Sequence, residues 1–182
     1  MFRGDKVVLR PLDLKDVDSI LRWYSDLEQN ILTGWSSLRS IPYMRERIEK
    51  RILNPPEDTI SMIIEVSELP IGKIDLVLID WNQRRGEIGI LIDKPYRRKG
   101  YGKDAVITFL QYLFHIRNMH KVMGYAYDFN KASTALFKSV GFVQEGILRK
   151  HEYTAGSYRD LIVFGMLKEE FIEKYPERRF LV

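Results

Sequence analysis

The 182-residue chain contains no cysteine. Without a thiol the protein can form no disulfide, no thiolate metal site and no cysteinyl acyl intermediate, so covalent catalysis would need another nucleophile. Histidine is scarce too, and His115, His120 and His151 do not have the spacing of metal ligands. We therefore expect a protein without a metal site.

Long apolar runs are also missing from the sequence. No stretch reaches the roughly 18 to 20 apolar residues of a membrane span. The amino terminus, Met-Phe-Arg-Gly-Asp-Lys, lacks the apolar core of a signal peptide. We therefore expect a cytoplasmic protein with no membrane partner.

Neither sign of charge is in strong excess. Lys and Arg number 29 against 25 Asp and Glu, and the net charge of +4 is too small and too dispersed to indicate nucleic-acid binding. With 45% apolar and 30% charged residues the composition is that of an ordinary globular protein. The length fits one domain, and no linker or internal repeat divides residues 1–182.

The most informative stretch runs from residue 87 to residue 105. After Glu87 the residues up to Ile92 are apolar or small, which predicts a strand covered on both faces, and helical spacing of apolar residues begins after Lys103. The loop between them carries five cations and two glycines: Lys94, Arg97, Arg98, Lys99 and Lys103, with Gly100 and Gly102. Glycines let backbone N–H groups approach an anion, and a helix N-terminus presents unpaired N–H groups. The stretch predicts a polyphosphate site.

Two other interpretations of this loop are less favoured. The segment from Gly100 to Ala105 also matches the dinucleotide fingerprint G-x-G-x-x-A. That fingerprint needs its first glycine directly after the strand, whereas seven residues separate Ile92 from Gly100. The remaining alternative is a solvated basic turn without a ligand. It does not explain why the cations cluster around the glycines.

The apolar periodicity predicts an order of β, α, α, β, β, β, α, β, α, β, β. A strand at 6–11 precedes a helix capped by Asp13, whose apolar face includes Leu27, and 30–40 is an irregular loop before a helix capped by Ser40. Further elements follow in chain order: strands at 60–66 and 74–78, the strand and helix of the glycine loop, a strand at 121–128, a helix at 131–140 ended by Gly141, hairpin strands at 143–153 and 158–167, and a tail at 168–175 that is a candidate helix.

Three motifs at these positions resemble the GCN5-related N-acetyltransferases, the GNAT superfamily. They are Arg97-x-x-Gly100-x-Gly102, the segment from Asn130 to Phe142, and the segment from Glu145 to Arg149 with the hairpin after it. The set is most similar to the branch of ribosomal-protein N-terminal acetyltransferases (RimJ/RimL-like). The resemblance implies an α/β (α+β) GNAT fold, a mixed and mostly antiparallel sheet of about seven strands covered by about four helices, in a single acyl-CoA N-acyltransferase domain.

The resemblance implies acetyl-CoA as the cosubstrate. The pantetheine arm is expected along Ile90, Leu91 and Ile92, and the pyrophosphate on the loop that follows. The implied donor-binding residues, in full, are Ile90, Leu91, Ile92, Arg97, Arg98, Lys99, Gly100, Tyr101, Gly102, Lys103, Asn130, Ser133 and Phe137. Each of two donor-binding assignments has an equally good structural alternative. Asn130 would then be an ordinary helix N-cap, and Phe137 an ordinary core residue.

The resemblance also implies three catalytic candidates. Glu145 matches a proposed base of the ribosomal branch, and Glu87 lies where other members place polar catalytic groups. Many members have a tyrosine at the position of Phe137, so Ser133 becomes the candidate partner of the departing thiolate. Each carboxylate has a purely structural alternative, as an exposed strand residue or an ion-pair partner.

The amine acceptor is the least defined part. Trp35, Tyr43, Tyr125 and Asp160 are expected to line its site, with Asp160 as the partner of a cationic amine. A protein or peptide N-terminus is slightly favoured over a polyamine or amino-sugar, with direct attack in a ternary complex. A non-catalytic acyl-CoA sensor and an RNA-binding accessory factor are alternatives, and a monomer or homodimer is expected.

Overall fold

The computed structural model describes residues 1–34 and 39–177. Within these ranges the chain forms eight strands and six α-helices. The strands are β1 (Phe2–Arg3), β2 (Val8–Pro11), β3 (Ile60–Val66), β4 (Leu69–Asp80), β5 (Arg85–Ile92), β6 (Lys121–Tyr127), β7 (Val143–Thr154) and β8 (Ser157–Leu167). The helices are α1 (Val17–Tyr24), α2 (Leu27–Thr33), α3 (Ile41–Leu53), α4 (Tyr101–Gln111), α5 (Lys131–Val140) and α6 (Lys168–Lys174).

All eight strands form one sheet in the order β1-β2-β3-β4-β5-β6-β8-β7. The pair β5–β6 is parallel and is connected through α4, while the other neighbours are antiparallel. The strand–helix–strand crossover predicted from the glycine loop therefore lies at the centre of the sheet. The predicted fold, a mixed and mostly antiparallel sheet covered by helices, is confirmed.

The two faces of the sheet pack against different helices. Even-numbered residues of β5, such as Ile88, share a core with Phe109 of α4, Val140 of α5 and Phe171 of α6. We call this the α4 face. Odd-numbered Leu91 packs with α1 and α3 instead, and we call that side the α1 face. The separation follows from strand geometry, because successive side chains alternate across a sheet.

The first helical segment starts and ends differently from the sequence prediction. Asp13 caps the chain as expected, through its own side chain and that of Asp16. The helix then stops at Tyr24, and a new helix starts with Asp26 as its N-cap and ends at Gly34 in the left-handed conformation. The assignment of Leu27 to the apolar face of the first helix is therefore wrong, since Leu27 is 64% exposed on α2.

Two more expectations need correction. The alternation of Ile74, Leu76 and Leu78 in the strand predicted at 74–78 predicts one apolar face, but Leu78 has a φ of +50° at an irregularity between β4 and β5 and is 64% exposed. Helix α4 begins at Tyr101 rather than at Lys103, because Gly100 supplies the left-handed residue at its N-cap. Among the described residues, no helix has both the length and the apolar character needed to cross a membrane.

Candidate active site

The central feature of the site is a fork between β5 and β6. Parallel pairing runs from Arg85 with Lys121 to Ile88 with Gly124. Beyond it, β5 remains paired with β4 up to Ile92, and β6 remains paired with β8 up to Tyr127. The two strands therefore separate after Ile88, and backbone groups of β5 that faced β6 lose their partner.

The open backbone groups belong to Ile90 and Ile92. Asp93 N donates to the Ile71 carbonyl oxygen on the β4 side (2.8 Å), so by alternation Leu91 also directs its backbone groups toward β4. Ile90 and Ile92 then face the fork. The Ile92 carbonyl oxygen accepts from Arg97 Nε (3.0 Å), which leaves the Ile90 groups and the Ile92 N–H for a ligand strand or an oxyanion.

The glycine loop leads from the fork into the first turn of α4. Gly100 has a φ of +84° and Arg98 a φ of +61°, so the chain turns sharply there. A Cβ at Gly102 would lie 3.7–3.9 Å from Ile92, Leu136 and Ile90, which places this residue beside the fork. The first N–H groups of α4 lack intrahelical partners and carry the positive end of the helix dipole. The geometry suits an anion.

Two of the loop cations bind helix α2. The guanidinium of Arg97 is hydrogen-bonded to the side chain of Gln29 and lies 3.7 Å from Glu28. Lys94 Nζ also contacts the Glu28 carboxylate, at 2.7 Å. These cations therefore join the loop to α2. Their positive charges are partly balanced by the Glu28 carboxylate.

Lys6 is a cation near the loop that the sequence analysis did not identify. Its Nζ donates to the Lys99 carbonyl oxygen (3.2 Å) and lies next to Gly100. The amide N–H groups of Asp5, Lys6 and Val7 donate to the buried carboxylate of Asp104 at 3.0, 2.7 and 3.0 Å. Asp104, one turn into α4, thereby fixes the amino-terminal turn beside the loop. A separation of 98 residues leaves no local signal for this contact.

Asn130 and Ser133 form the start of α5. The Asn130 side-chain oxygen accepts from Ser133 N (3.1 Å), which is the N-cap role that the sequence left open, and its Nδ2 donates to the Leu32 carbonyl oxygen (3.2 Å). Asn130 thus ties α5 to the end of α2. Ser133 lies in the first turn and is partly exposed.

Phe137 is a core residue. It is 2% exposed, and its ring lies 5.0 Å from that of Phe142 and 5.2 Å from that of Phe164 between centroids. A Cβ at Gly124 would come within 2.6 Å of the Phe137 ring, so glycine is required there for the ring to lie flat on the sheet. This stack supports β6 from the α4 face at the point where the fork opens.

The α1 face at the fork carries three of the predicted site residues: Glu87, Tyr125 and Glu145. Glu87 is the β5 partner of Met123, two residues before Tyr125 on the same face of β6. Burial raises the pKa of the Glu87 carboxyl. Burial also raises the pKa of the Tyr125 hydroxyl, and the negative charges of Glu87 and Glu145 add to this effect. A Cβ at Gly89 would meet nothing within 4 Å, so the surface next to Glu87 is open.

The two carboxylates differ in their partners. Glu145 lies over Gly165 and forms an ion pair with Lys121 Nζ at 2.7 Å. Glu87 makes no hydrogen bond and no ion pair within the described part of the chain. Of the two, Glu87 is the better placed to exchange a proton, because a carboxylate without a cationic partner is more easily protonated.

A third carboxylate borders this face further along β6. Glu152 of β7 accepts a hydrogen bond from the Tyr127 hydroxyl. The pKa of Tyr127 is raised mainly by its burial and, to a smaller extent, by this hydrogen bond. Gly34, at the end of α2, packs directly against the same hydroxyl. The end of α2 and strand β7 therefore meet at the Tyr127 hydroxyl.

The remaining acceptor candidates do not join this cluster. Asp160 precedes Leu161 on β8, and because Leu161 pairs with Tyr127, Asp160 points to the opposite, α4 face. Its carboxylate accepts from Lys150 N (2.8 Å) in the bulge of β7. Tyr43 lies on α3, is 48% exposed and stands beside Arg39. Trp35 lies outside the described residues.

Comparison with known proteins identifies the class. Residues 6–143 match the family model described as acetyltransferase (GNAT) domain. An uncharacterised prophage-derived N-acetyltransferase of Bacillus subtilis, YokL, is 32% identical over 174 residues, which cover 92% of this chain and 93% of the relative. The chain therefore belongs to the GNAT acetyltransferase family: it is an acyltransferase whose cosubstrate is acetyl-CoA.

Spermidine acetyltransferases are also similar to the chain. The spermidine N(1)-acetyltransferase of Vibrio cholerae is 25% identical over 175 residues, covering 94% of this chain and 98% of the relative. A crystal structure of spermidine N-acetyltransferase from that organism with CoA and spermine has a TM-score of 0.86 at 23% identity, over 93% of this chain and 99% of the other. The predicted ribosomal branch is not confirmed by these relatives.

Proposed function

We propose that the protein transfers the acetyl group of acetyl-CoA to a primary amine of a small polyamine. The observation that carries this proposal is the pair of carboxylates, Glu87 and Glu152, on the α1 face of the sheet. In the described part of the chain neither carboxylate forms an ion pair. Both are therefore free to receive ammonium groups of a substrate.

The donor is held on the other side of the fork. The N–H groups at the start of α4, together with Arg98, Lys103 and Lys6, donate hydrogen bonds to the phosphates. The pantetheine arm pairs with Ile90 in the position that β6 has left. Binding energy from these contacts fixes the thioester at the fork, which lowers the entropic part of the barrier.

The chemistry then requires two proton transfers. Glu87 accepts a proton from the incoming ammonium, directly or through water, and the neutral nitrogen attacks the thioester carbon. The Ile92 N–H stabilises the oxyanion, a type of interaction worth about 3 to 4 kcal/mol. The carbon–sulfur bond breaks as the attached nitrogen loses its remaining excess proton, and this proton passes through Ser133 or a water bound to it to the departing thiolate, so that Ser133 ends the step as a neutral hydroxyl. The products are the acetamide and CoA.

The spacing of the two carboxylates favours a polyamine. Glu87 lies level with Met123, and Glu152 binds the hydroxyl of Tyr127. Met123 and Tyr127 are four residues apart on β6, so at ~3.3 Å per residue their backbone positions are about 13 Å apart. One ammonium group cannot span that distance, whereas an extended chain with several ammonium groups can. The spermidine acetyltransferases among the relatives support the same acceptor.

The test compares acceptors that differ in their number of ammonium groups. We expect kcat/KM for spermidine to exceed that for butylamine and for peptides with a free amino terminus. Glu152→Gln should raise the KM for spermidine about tenfold, the loss of roughly one charge-assisted contact, and leave butylamine unchanged. Glu169→Gln, an exposed change on α6, is the matched control. Equal effects of Glu152→Gln on both amines would exclude the second ammonium site.

A protein or peptide α-amine is the second candidate acceptor. The ion pair between Glu145 and Lys121 favours it, because neutralising Glu145 leaves one available carboxylate, Glu87, at the fork itself. An α-amino group needs only that one anion near the thioester. A peptide whose kcat/KM exceeds that of spermidine, and which is inert when its amino terminus is blocked, would select this candidate.

A further inference from the structure

Lys6 lies in the turn between β1 and β2, beside the first turn of α4. Its Nζ donates to the Lys99 carbonyl oxygen at 3.2 Å and would lie 2.9 Å from a Cβ at Gly100. An ammonium group has three N–H donors. Among the described residues the Lys99 oxygen is the one partner of this Nζ. Two donors of an exposed ammonium group are therefore available to a ligand beside the glycine loop.

The place of Lys6 is fixed by its backbone and not by its side chain. The Asp104 carboxylate accepts from the backbone N–H groups of Lys6 at 2.7 Å and of Val7 at 3.0 Å. Asp104 is buried and lies four residues after Gly100, on the same side of α4. A change of the Lys6 side chain therefore leaves the contact between the amino-terminal turn and α4 intact.

The other side of this helical turn faces the fork. A Cβ at Gly102 would contact three residues that border the fork: Ile90, Ile92 and Leu136. With 3.6 residues per turn, positions two apart on a helix project in nearly opposite directions. Gly102 therefore faces away from the side that carries Asp104 and the amino-terminal turn. The start of α4 has the fork on one side and Lys6 on the other.

The chemical order of the donor matches this arrangement. In CoA the thioester is followed by pantetheine, then the pyrophosphate, then adenosine with its 3′-phosphate. A pantetheine arm at Ile90 brings the pyrophosphate to the N–H groups of α4 from the fork side. The adenosine end lies beyond the pyrophosphate, further from the fork.

We propose that Lys6 binds the 3′-phosphate of CoA and thereby selects CoA over donors that lack this group. The inference rests on the donor site described under the proposed function. It is independent of the polyamine acceptor.

The distribution of charge in the loop supports a separate cation for this phosphate. Lys94 and Arg97 contact Glu28 on α2. The Nζ of Lys99 lies 5.6 Å from the centroid of the Tyr96 ring. A phosphate monoester carries a charge of about −1.5 to −2 at pH 7, in addition to the charge of the pyrophosphate. An ammonium group from outside the loop supplies positive charge that these three loop cations direct elsewhere.

Isothermal titration of the whole protein with CoA and with dephospho-CoA, without an acceptor, tests the assignment. We expect Lys6→Met to raise the dissociation constant for CoA about tenfold, as for the loss of one charge-assisted contact, and to change that for dephospho-CoA by less than about twofold. Lys6→Arg should keep the parental preference for CoA. Lys15→Met removes an exposed cation elsewhere on the surface and should leave both constants unchanged.

The pH dependence provides a second measurement. The second pKa of a phosphate monoester is about 6, so the 3′-phosphate loses negative charge as the pH falls below that value. The preference of the parental protein for CoA over dephospho-CoA should then decrease, and this decrease should be absent in Lys6→Met. Taking the ratio of the two constants cancels titrations of the protein that affect both ligands.

Three results would overturn the proposal. Equal weakening of both ligands by Lys6→Met would assign Lys6 to the pyrophosphate. Unchanged CoA affinity in this variant would remove Lys6 from the donor site. Loss of the preference for CoA in Arg98→Met but not in Lys6→Met would place the 3′-phosphate on the loop. Failure of the parental protein to bind either ligand would instead refute the donor site as a whole, and this inference with it.

Discussion

Replacing Glu87 by glutamine removes the carboxylate at the fork and preserves the size of the side chain. General base catalysis contributes about 10²- to 10⁴-fold to a rate. We therefore expect kcat/KM for the amine to fall by about 100-fold or more at pH 7, with CoA affinity unchanged because Glu87 points to the α1 face, away from the loop of α4. Steady-state assays with acetyl-CoA and isothermal titration with CoA measure the two effects separately.

The pH profile identifies the cause of the loss. The ionised carboxylate is the active form, so parental activity should fall as the pH drops through the pKa of Glu87, which burial raises. The variant should lose this acidic limb. Its residual rate should instead rise with pH as the amine, with a pKa near ~10, loses its own proton. Hydroxylamine is neutral at pH 7 and needs no base to remove a proton before it attacks. When it replaces the amine as the acceptor, the variant should therefore recover much of the lost rate.

Stability should respond in the opposite direction from activity. A raised pKa in the folded state means that folding favours the protonated carboxyl, so this favourable contribution is lost as the pH rises through the folded pKa. At neutral pH the ionised Glu87 is a net cost to folding. We expect the Glu87→Gln variant to melt at the parental temperature or above it at pH 7, whereas a purely structural residue would lower the melting temperature when replaced.

Glu145→Gln is the matched control for this experiment. It neutralises a carboxylate that also acts on Tyr125 but already forms an ion pair with Lys121. A Glu87→Gln enzyme with parental kcat/KM and an unshifted acidic limb would refute the assignment of Glu87 as the base. If Glu145→Gln alone removed the acidic limb, the base would be Glu145.

Further substitutions test the other parts of the site. Gly102→Glu should abolish the CoA-induced stabilisation, about 2.7 kcal/mol at 100 times Kd, in a thermal-shift assay, while Gly102→Ala should keep it because a Cβ there has contacts of 3.7 Å or more. Ser133→Ala should lower kcat more than CoA affinity in the same assays. Gly124→Val should lower the free energy of unfolding by about 1 to 3 kcal/mol in urea, since its side chain collides with Phe137. Asp104→Asn should destabilise the fold by about 3 kcal/mol and weaken CoA binding through Lys6; unchanged values would show that the amino-terminal turn is independent of the loop.

Sequence patterns predict the elements with strong local signals. The strand, glycine loop and helix from Glu87 onward form as expected, and Asp13 and Gly141 cap their helices as expected. The helix α2 was missed because its residues lack an apolar period, although Asp26 and Gly34 are ordinary start and stop residues. Leu78 was misplaced since an irregular backbone conformation there reverses the alternation on which the prediction relied.

The candidate site is less predictable, because it depends on contacts between distant segments. The sequence places Glu87 and Tyr125 on strands, but the register of β5 against β6 decides that they share a face, and no local pattern encodes that register. The register of β8 likewise separates Asp160 from them. Lys6 and Glu152 reach the site through Asp104 and Tyr127, which are distant in the sequence.

The basic loop has a second role that its sequence alone does not suggest. Phosphate binding needs positive charge at the first turn of α4, yet Lys94 and Arg97 direct their charges to Glu28 and Gln29 on α2. The end of the same helix contacts Asn130 and Tyr127. Helix α2 therefore joins the glycine loop, the start of α5 and the hydrogen-bonded pair of Tyr127 and Glu152.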